Sequence, residues 1–445
     1  MIRSFSIQNF GCRVNQAEAF SWADRLRNGG LRLEDDPARS DIVLVNTCTL
    51  TAGADRDVRK FVRRTVREHP AVRIVLAGCY AERSGGEFHD VTQILLVVPN
   101  SDKDAVPERI LSLAAAENEG QPTKRGRQKT GESTRPEPRS WRSRALVKIQ
   151  DGCDDRCTFC VIPSVRGRSR SVDKGEILAR IRALVGRGYR EIVLAGIHLS
   201  SYGEDLAQKG SFLALLREIE TVPGLGRLRL SSLDPRRMDG DLIAHIAGNP
   251  RICQHFHLSL QHVSGRILRK MGRFIPEGFY GKILSGLRAK SPAAALGADL
   301  IVGFPGEGDG EFQELRDFLE RSPLTYFHVF SYSPRTGTPA AGLARPAERT
   351  KKERSAALRR LSVEKNLHFR RGFVGRVLEA VVIRKGAAGA GEATKASELL
   401  TDNAIKVMAE GPRAPERELV RVRITRALPR GTEGEILDPS SGSGR

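Results

Sequence analysis

An α/β chain in three parts is what this sequence predicts, and three observations predict it. From residue 1 to about 112, short apolar runs alternate with helical patterns, which marks a parallel sheet covered by helices. From 145 to about 335, six strand-like runs alternate with helical segments, the pattern of a parallel barrel or part of one. After Gly372 the chain turns to short alternating strands and glycine-rich turns, about seventy residues suited to a small β-barrel of the oligonucleotide-binding sort. A chain of 445 residues has room for two to three domains with cores of their own.

In the first part, strands are expected at Ser4–Asn9, Ile42–Asn46, Ile74–Ala77 and Ile94–Val98, and helices near Gln16–Asn28 and Asp55–Glu68. Cys12, Cys48 and Cys79 lie just past the first three strands. The carboxyl ends of parallel strands share one edge, where open α/β sheets bind their ligands. Gly11 and Gly78 precede two of the cysteines and let the backbone approach closely. A single cysteine so placed is usually a small buried hydrophobe. Three at one topological position read as ligands of a metal cluster. Periodicity then stops from Glu117 to Arg144, where Gly, Pro, Ser, Thr, Lys and Arg take over, and a basic linker is assigned to 113–144.

The second part, 145–371, expects strands at Ala145–Gln150, Glu191–Ala195, Arg227–Ser232, His255–Leu260, Asp299–Gly303 and Phe327–Tyr332, with helices such as Asp173–Gly186 and Phe212–Glu220. Cys153, Cys157 and Cys160 follow the first strand at spacing Cys-x3-Cys-x2-Cys. Thiolates select iron–sulfur clusters, zinc or copper. A structural zinc site wants a fourth ligand nearby, yet the next cysteine is Cys253 and the loop holds no histidine. Three thiolates on a four-iron cluster leave one iron open to a small molecule. The other strands are followed by Gly196-Ile197-His198, Ser231-Ser232-Leu233-Asp234, Gln261-His262 and Gly303-Phe304-Pro305-Gly306-Glu307, segments that commonly just make turns. His198 and His257 read as structural histidines. A charged helix from Ala347 to about Phe369 closes this part. The third part, 372–438, expects strands at Val374–Ile383, Glu398–Met408, Glu418–Ile424 and Gly434–Leu437, a turn at Gly386–Gly391, and a disordered tail over 439–445.

The formal charge of +20 calls for a polyanionic partner, nucleic acid first. Seven cysteines in a long chain do not make a disulfide framework, and a thiol-ligated cluster needs a reducing compartment. The start Met1-Ile2-Arg3-Ser4-Phe5 runs straight into a strand, and no apolar run has spanning length. A cytoplasmic protein without a membrane segment is the expectation. These features argue against secreted disulfide scaffolds and membrane proteins.

The central loop, with Phe159 before its last cysteine, resembles the motif of the radical S-adenosylmethionine (SAM) superfamily. Over nearly the whole chain the sequence resembles the radical-SAM methylthiotransferases, which join an N-terminal cluster domain, a radical-SAM partial (β/α) barrel and a C-terminal TRAM domain. The carriers are Gly11-Cys12-Arg13-Val14-Asn15-Gln16, Val45-Asn46-Thr47-Cys48, Gly78-Cys79-Tyr80-Ala81, Arg166-Gly167-Arg168-Ser169-Arg170-Ser171, Val302-Gly303-Phe304-Pro305-Gly306-Glu307 and Phe330-Ser331-Tyr332-Ser333-Pro334-Arg335-Thr336-Gly337-Thr338. The resemblance implies two [4Fe-4S] clusters, one on Cys153, Cys157 and Cys160 and one on Cys12, Cys48 and Cys79. It places SAM against Phe159, Gly196, Ser232, Asp234, Gln261 and Val302. It further implies a tRNA substrate, an electron donor and a monomer, with Arg13, Arg166, Arg168 and Arg170 as candidates for RNA or substrate contacts. Gly-Cys-Arg-Val-Asn-Gln resembles the branch that acts on N6-threonylcarbamoyladenosine beside the anticodon. Isopentenyladenosine, a ribosomal protein, or a non-catalytic iron–sulfur RNA-binding role are the alternatives. One departure stands out: Gln261-His262-Val263-Ser264-Gly265 replaces the Gln-Ser-Gly-Ser-Asp usual after the fourth barrel strand.

Overall fold

The computed structural model describes residues 1–118, 143–206, 212–384, 396–412 and 414–437. The expected turn at Gly386–Gly391, the tail 439–445 and most of the expected linker lie outside the described residues. The chain divides into two compact units, Met1–Arg142 with Val161–Gly167, and Ser143–Cys160 with Arg168–Arg445.

The first unit is built from β1 (Ser4–Asn9), α1 (Arg13–Asn28), β2 (Arg32–Leu33), β3 (Ile42–Thr47), α2 (Ala52–Glu68), β4 (Arg73–Gly78), α3 (Cys79–Ser84), β5 (Ile94–Val98), α4 (Val106–Asn118) and α5 (Ile162–Arg166). Its strands form one parallel sheet in the order β2-β1-β3-β4-β5. Successive residues of β3 and β4 serve opposite faces: Ile42, Leu44, Val75 and Ala77 pack with Trp22, Leu26 and Ile110, while Val43, Val45, Ile74 and Leu76 pack with Val58, Phe61 and Val62. A parallel sheet covered on both faces explains why these strands read as continuous apolar runs. Thr51 caps α2 by accepting from the Ala54 amide at 3.1 Å. Several elements were not anticipated, the short helices α3 and α5 among them. β2 is only two residues long, and α4 crosses residue 112 with Ile110 and Ala114 buried against the sheet.

The second unit opens with β6 (Ala145–Lys148), β7 (Gln150–Asp151), β8 (Arg170–Ser171), α6 (Lys174–Gly186), β9 (Glu191–Ala195), α7 (Phe212–Glu220), β10 (Arg227–Leu230) and α8 (Gly240–Gly248). It continues through β11 (His255–Gln261), α9 (Gly265–Lys270), α10 (Phe279–Lys290), β12 (Ala295–Val302), α11 (Asp309–Arg321), β13 (Tyr326–Ser331) and α12 (Glu348–Arg371). Strands β6-β9-β10 and β11-β12-β13 form two parallel sheets, joined by a bridge between Leu233 and Leu258. The result is an open arc of six parallel strands with β6 and β13 at its edges, a partial barrel.

The barrel-forming tail contains β14 (Val377–Arg384), β15 (Ser397–Thr401), β16 (Lys406–Glu410), β17 (Leu419–Leu428) and β18 (Gly431–Ile436), closed in the order β14-β15-β16-β18-β17. The single strand expected over Glu398–Met408 is two. The Thr401 amide donates to the Ile405 carbonyl and its carbonyl accepts from the Ala404 amide across Asp402-Asn403-Ala404, the Thr401 hydroxyl accepts from the Ile405 amide at 2.9 Å, and Ala404 takes φ +61°. Side-chain hydrogen bonding at such residues favours reversal over extension. Arg227 and Arg229 fasten this small barrel to the strand arc. They donate to the carbonyls of Leu400, Thr401 and Asp402 at 2.9–3.0 Å, and both pair with buried Glu191. Among the described residues no helix is long and apolar enough to cross a membrane.

Candidate functional site

Two sites emerge, one in each unit. In the first unit Cys12 sits at the start of α1, Cys48 directly after β3, and Cys79 at the start of α3 directly after β4. Glycine is required before two of them. Gly11 has φ +148°, and a Cβ there would lie 3.1 Å from Cys48 Cβ; at Gly78, φ +99°, a Cβ would lie 2.6 Å from the Thr47 carbonyl. Asn15 braces the floor, donating to Asn46 Oδ1 and the Thr47 carbonyl at 2.9 Å, while the Cys12 thiol donates to Asn15 Oδ1 at 3.1 Å.

A buried charge network closes this site. The Arg166 guanidinium donates from Nε to Cys79 Sγ at 3.1 Å, from Nη1 to Glu18 Oε1 at 3.0 Å and from Nη2 to Asn15 Oδ1 at 3.0 Å. Lys103 Nζ reaches the same Glu18 oxygen at 2.6 Å. Burial pushes the Cys12 thiol up and the Cys48 thiol up to about 12, and the neighbouring thiolates push in the same direction. Three cysteines gathered at one buried edge, with the Arg166 guanidinium against Cys79, are the donor chemistry that a metal cluster satisfies, since it displaces the thiol protons. The residues fit such a group.

In the second unit the cysteine loop leaves β7 through Gly152, at φ +68°. It is pinned on both sides. Thr158 donates from its amide to the Met271 carbonyl and from its hydroxyl to the Lys270 carbonyl, and its own carbonyl accepts from the Ala340 amide at 2.9 Å. Phe159 packs edge-on against Phe304, anchoring the loop in a cluster with Met271, Tyr332 and Ala340. Cys153, Cys157 and Cys160 remain half-buried, and Cys153 lines a cavity. Burial pushes Cys153 up to about 11 and raises Cys157 as well; a bound metal would displace such protons.

Around this loop stands a ring of charge drawn from separate strand ends. Arg273 Nη2 meets Asp234 Oδ2 at 3.1 Å, and its Nη1 lies 3.9 Å from Cys157 Sγ. Arg236 meets Asp234 Oδ2 at 2.7 Å and also pairs with Asp155, whose Oδ2 lies 3.4 Å from His198 Nε2. The His198 contact and the Arg236 charge hold the Asp155 carboxyl well below the usual carboxylate range. Burial pushes Asp234 up, but Arg236 and Arg273 outweigh it and leave it lowered. A cavity of about 240 Å³ opens here, lined by Cys153, Asp155, Ser169, His198 and Ser201 among others.

The residues expected to hold a cofactor share the carboxyl edge of the arc, in differing states. Gly196 follows β9 with no space for a side chain, since a Cβ would meet Leu199 Cα at 3.0 Å. Ser232 is half-buried after β10, Gln261 ends β11 at φ +69°, and Val302 is fully buried at the end of β12. Asp234 is the hub of the charge ring. His262, in the unusual loop, is fully buried; its Nδ1 accepts from the Ser264 amide at 3.0 Å, and its Nε2 lies 3.7 Å from Glu307 Oε2. The sequence reading missed Asp155, Arg236 and Arg273, and His198 is more than a bystander.

One expectation is corrected. Arg166, a candidate for RNA or substrate contact, is 3% exposed and committed to Glu18, Asn15 and Cys79. Helix α5 turns Ile162, Val165 and Arg166 inward, so this guanidinium serves the cysteine site instead. Arg168 and Arg170 are exposed, Arg168 facing Asp154 at 3.4 Å, and Arg13 is exposed beside Gln16.

Comparison with known proteins places both units. Residues 4–98 match a family described as uncharacterized protein family UPF0004, and residues 147–319 match the radical SAM superfamily. The chain is 34% identical to a threonylcarbamoyladenosine tRNA methylthiotransferase MtaB of Aquifex aeolicus, across 94% of this chain and 99% of the relative. It is 33% identical to the Bacillus subtilis protein of the same name, across 97% and 96%. A tRNA-2-methylthio-N(6)-dimethylallyladenosine synthase of Frankia alni is 33% identical, across 96% and 87%. Among solved structures, the radical SAM methyltransferase TsrM of Kitasatospora setae shares the fold, with TM-score 0.54 and 16% identity over 77% of each chain.

Proposed function

Because this chain belongs to the family of radical SAM tRNA methylthiotransferases, whose members use SAM and [4Fe-4S] clusters, we propose that it acts on N6-threonylcarbamoyladenosine next to the anticodon and places a methylthio group on carbon 2 of the adenine. In this reading Cys153, Cys157 and Cys160 hold the cluster that binds SAM, and Cys12, Cys48 and Cys79 hold the cluster from which sulfur is delivered. Once bound, these groups supply the radical chemistry that an unactivated adenine C–H bond requires. The protein's part is positional. Phe159 and Thr158 fix the loop that carries the second-unit cysteines. Asp155, Asp234, Arg236 and Arg273 form a paired set of charges, suited to the charged ends of an amino-acid-bearing cofactor. Asn15 and Arg166 fix the first-unit cysteines.

The observation that carries the substrate branch is Arg13. It stands exposed in the first turn of α1, directly after Cys12. The threonylcarbamoyl group bears a carboxylate and the isopentenyl group does not, and an arginine fork suits a carboxylate. The MtaB relatives support the same reading. The Frankia relative, at similar identity, favours isopentenyladenosine as the second reading. Purified reconstituted enzyme offered matched tRNAs with either modification decides between them. Methylthio product on the threonylcarbamoyl tRNA is expected, and turnover of only the isopentenyl tRNA overturns the branch while leaving the chemistry standing. We further infer a cytoplasmic monomer served by a separate electron donor.

A further inference from the structure

On β11 the residues Phe256, Leu258 and Leu260 are fully buried, so His255, His257 and Ser259 take the opposite face of the strand. The register then builds two rows. His257 and Tyr326 both pair with Gly297, and Asp299 pairs directly with His328. A glycine inside a strand weakens it and commonly marks a close approach. Here a Cβ on Gly297 would lie 2.3 Å from Tyr326 Cζ and 2.6 Å from His257 Nδ1. The bare position makes the slot in which the Tyr326 hydroxyl reaches His257 Nδ1 at 3.0 Å.

We propose that His257 Nε2, Asp299 Oδ1 and His328 Nδ1 form a binding site for one divalent transition-metal ion, distinct in its residues from both cysteine triplets. The Asp299 oxygen lies 2.9 Å from His257 Nε2 and 3.2 Å from His328 Nδ1, and the three ligand atoms all lie within 4.8 Å of one another. Ligands about 2.1 Å from an ion stand about 3.0 Å apart in an octahedron and about 3.4 Å apart in a tetrahedron, and the two separations at Asp299 are close to these edges. Two imidazoles with one carboxylate and no thiolate suit zinc or ferrous ions. Tyr326 is the outer partner that orients His257: with Nε2 on the ion, Nδ1 carries the ring proton and donates it to the Tyr326 oxygen. His328 is 58% exposed on its side chain, so further coordination positions open toward solvent.

The test uses full-length enzyme with both clusters reconstituted anaerobically, given zinc(II), desalted, and measured for metal content and by zinc-edge X-ray absorption. Wild type is expected to retain about one zinc per chain on nitrogen and oxygen ligands, and Asp299→Asn or His328→Ala to weaken its retention about tenfold or more, with iron unchanged. Equal zinc in wild type and both variants overturns the proposal, as does zinc held on sulfur alone. Should Asp299→Asn lose its fold, His328→Ala decides, because its ring is solvent-exposed.

Discussion

The two cysteine triplets reach similar chemistry by opposite constructions. Cys12, Cys48 and Cys79 are scattered over 68 positions and brought together by three neighbouring strands of one sheet. Cys153, Cys157 and Cys160 lie within eight positions on a single loop that its surroundings pin in place. The first set is the more buried, with Cys48 and Cys79 inside and a buried arginine against Cys79. The second is half-exposed beside a cavity. A site built on strand ends exists only once its sheet has folded. A loop site keeps its spacing in the unfolded chain and stays accessible to a small molecule afterwards. The difference suits a cluster that presents sulfur in the one case and a cluster that must admit SAM in the other.

The largest expected effect breaks the comparison in half. Replacing Cys153, Cys157 and Cys160 together by Ala should abolish SAM cleavage while leaving about half of the iron, since each site is ligated independently. Iron analysis and deoxyadenosine release measure both. A variant that loses all of its iron, or none, contradicts two separate sites. Cys48→Ala is expected to do the reverse, with cleavage retained and no methylthio product, read by nucleoside mass spectrometry. Loss of cleavage in folded protein with an intact second-unit cluster would refute the division of labour.

How much of this was legible follows from the same contrast. The loop triplet could be read from spacing alone. The strand-end triplet could be read because parallel strands put their carboxyl ends on one edge, which makes topology predictable from periodicity. Of the charge ring, Asp234 was legible from the resemblance, but its partners Asp155, His198, Arg236 and Arg273 were not, since the ring joins the cysteine loop to the ends of three further strands and no one spacing links them. Arg166 was misread for another reason. It stands among exposed arginines, and only the burial of Ile162 and Val165 on the short helix α5 reveals that it faces inward. The split of 398–408 into two strands was hidden by apolar residues on both sides of a short polar reversal.

A smaller effect sharpens the first triplet. Arg166→Gln removes one of the two cations on buried Glu18, leaving Lys103. A cost of about 2–3 kcal/mol is expected, below that of a fully orphaned buried charge. Losing the cation and the N–H donated to Cys79 should also lower the reduction potential of the first-unit cluster, because both favour the reduced, more negative state. Potentiometry in the Cys153, Cys157, Cys160→Ala background isolates that cluster. An unchanged potential would reduce Arg166 to a structural role.

The smallest effect belongs to the neighbouring arginine that points outward. Arg168 is 91% exposed on its side chain, and its pair with Asp154 at 3.4 Å is a surface contact that contributes little stability. Its available role is a phosphate contact, and such contacts position RNA without reading its sequence. Arg168→Ala should therefore leave melting and iron content as they are. It should weaken tRNA binding a few-fold, and equally for tRNAs that differ in anticodon. The diagnostic is the salt dependence, since losing one phosphate contact should reduce the slope of log K against log salt by about 0.7–0.9. Arg166→Gln, buried two positions earlier, should leave that slope untouched. If the two variants change the slope alike, the inward and outward assignments of these arginines are wrong.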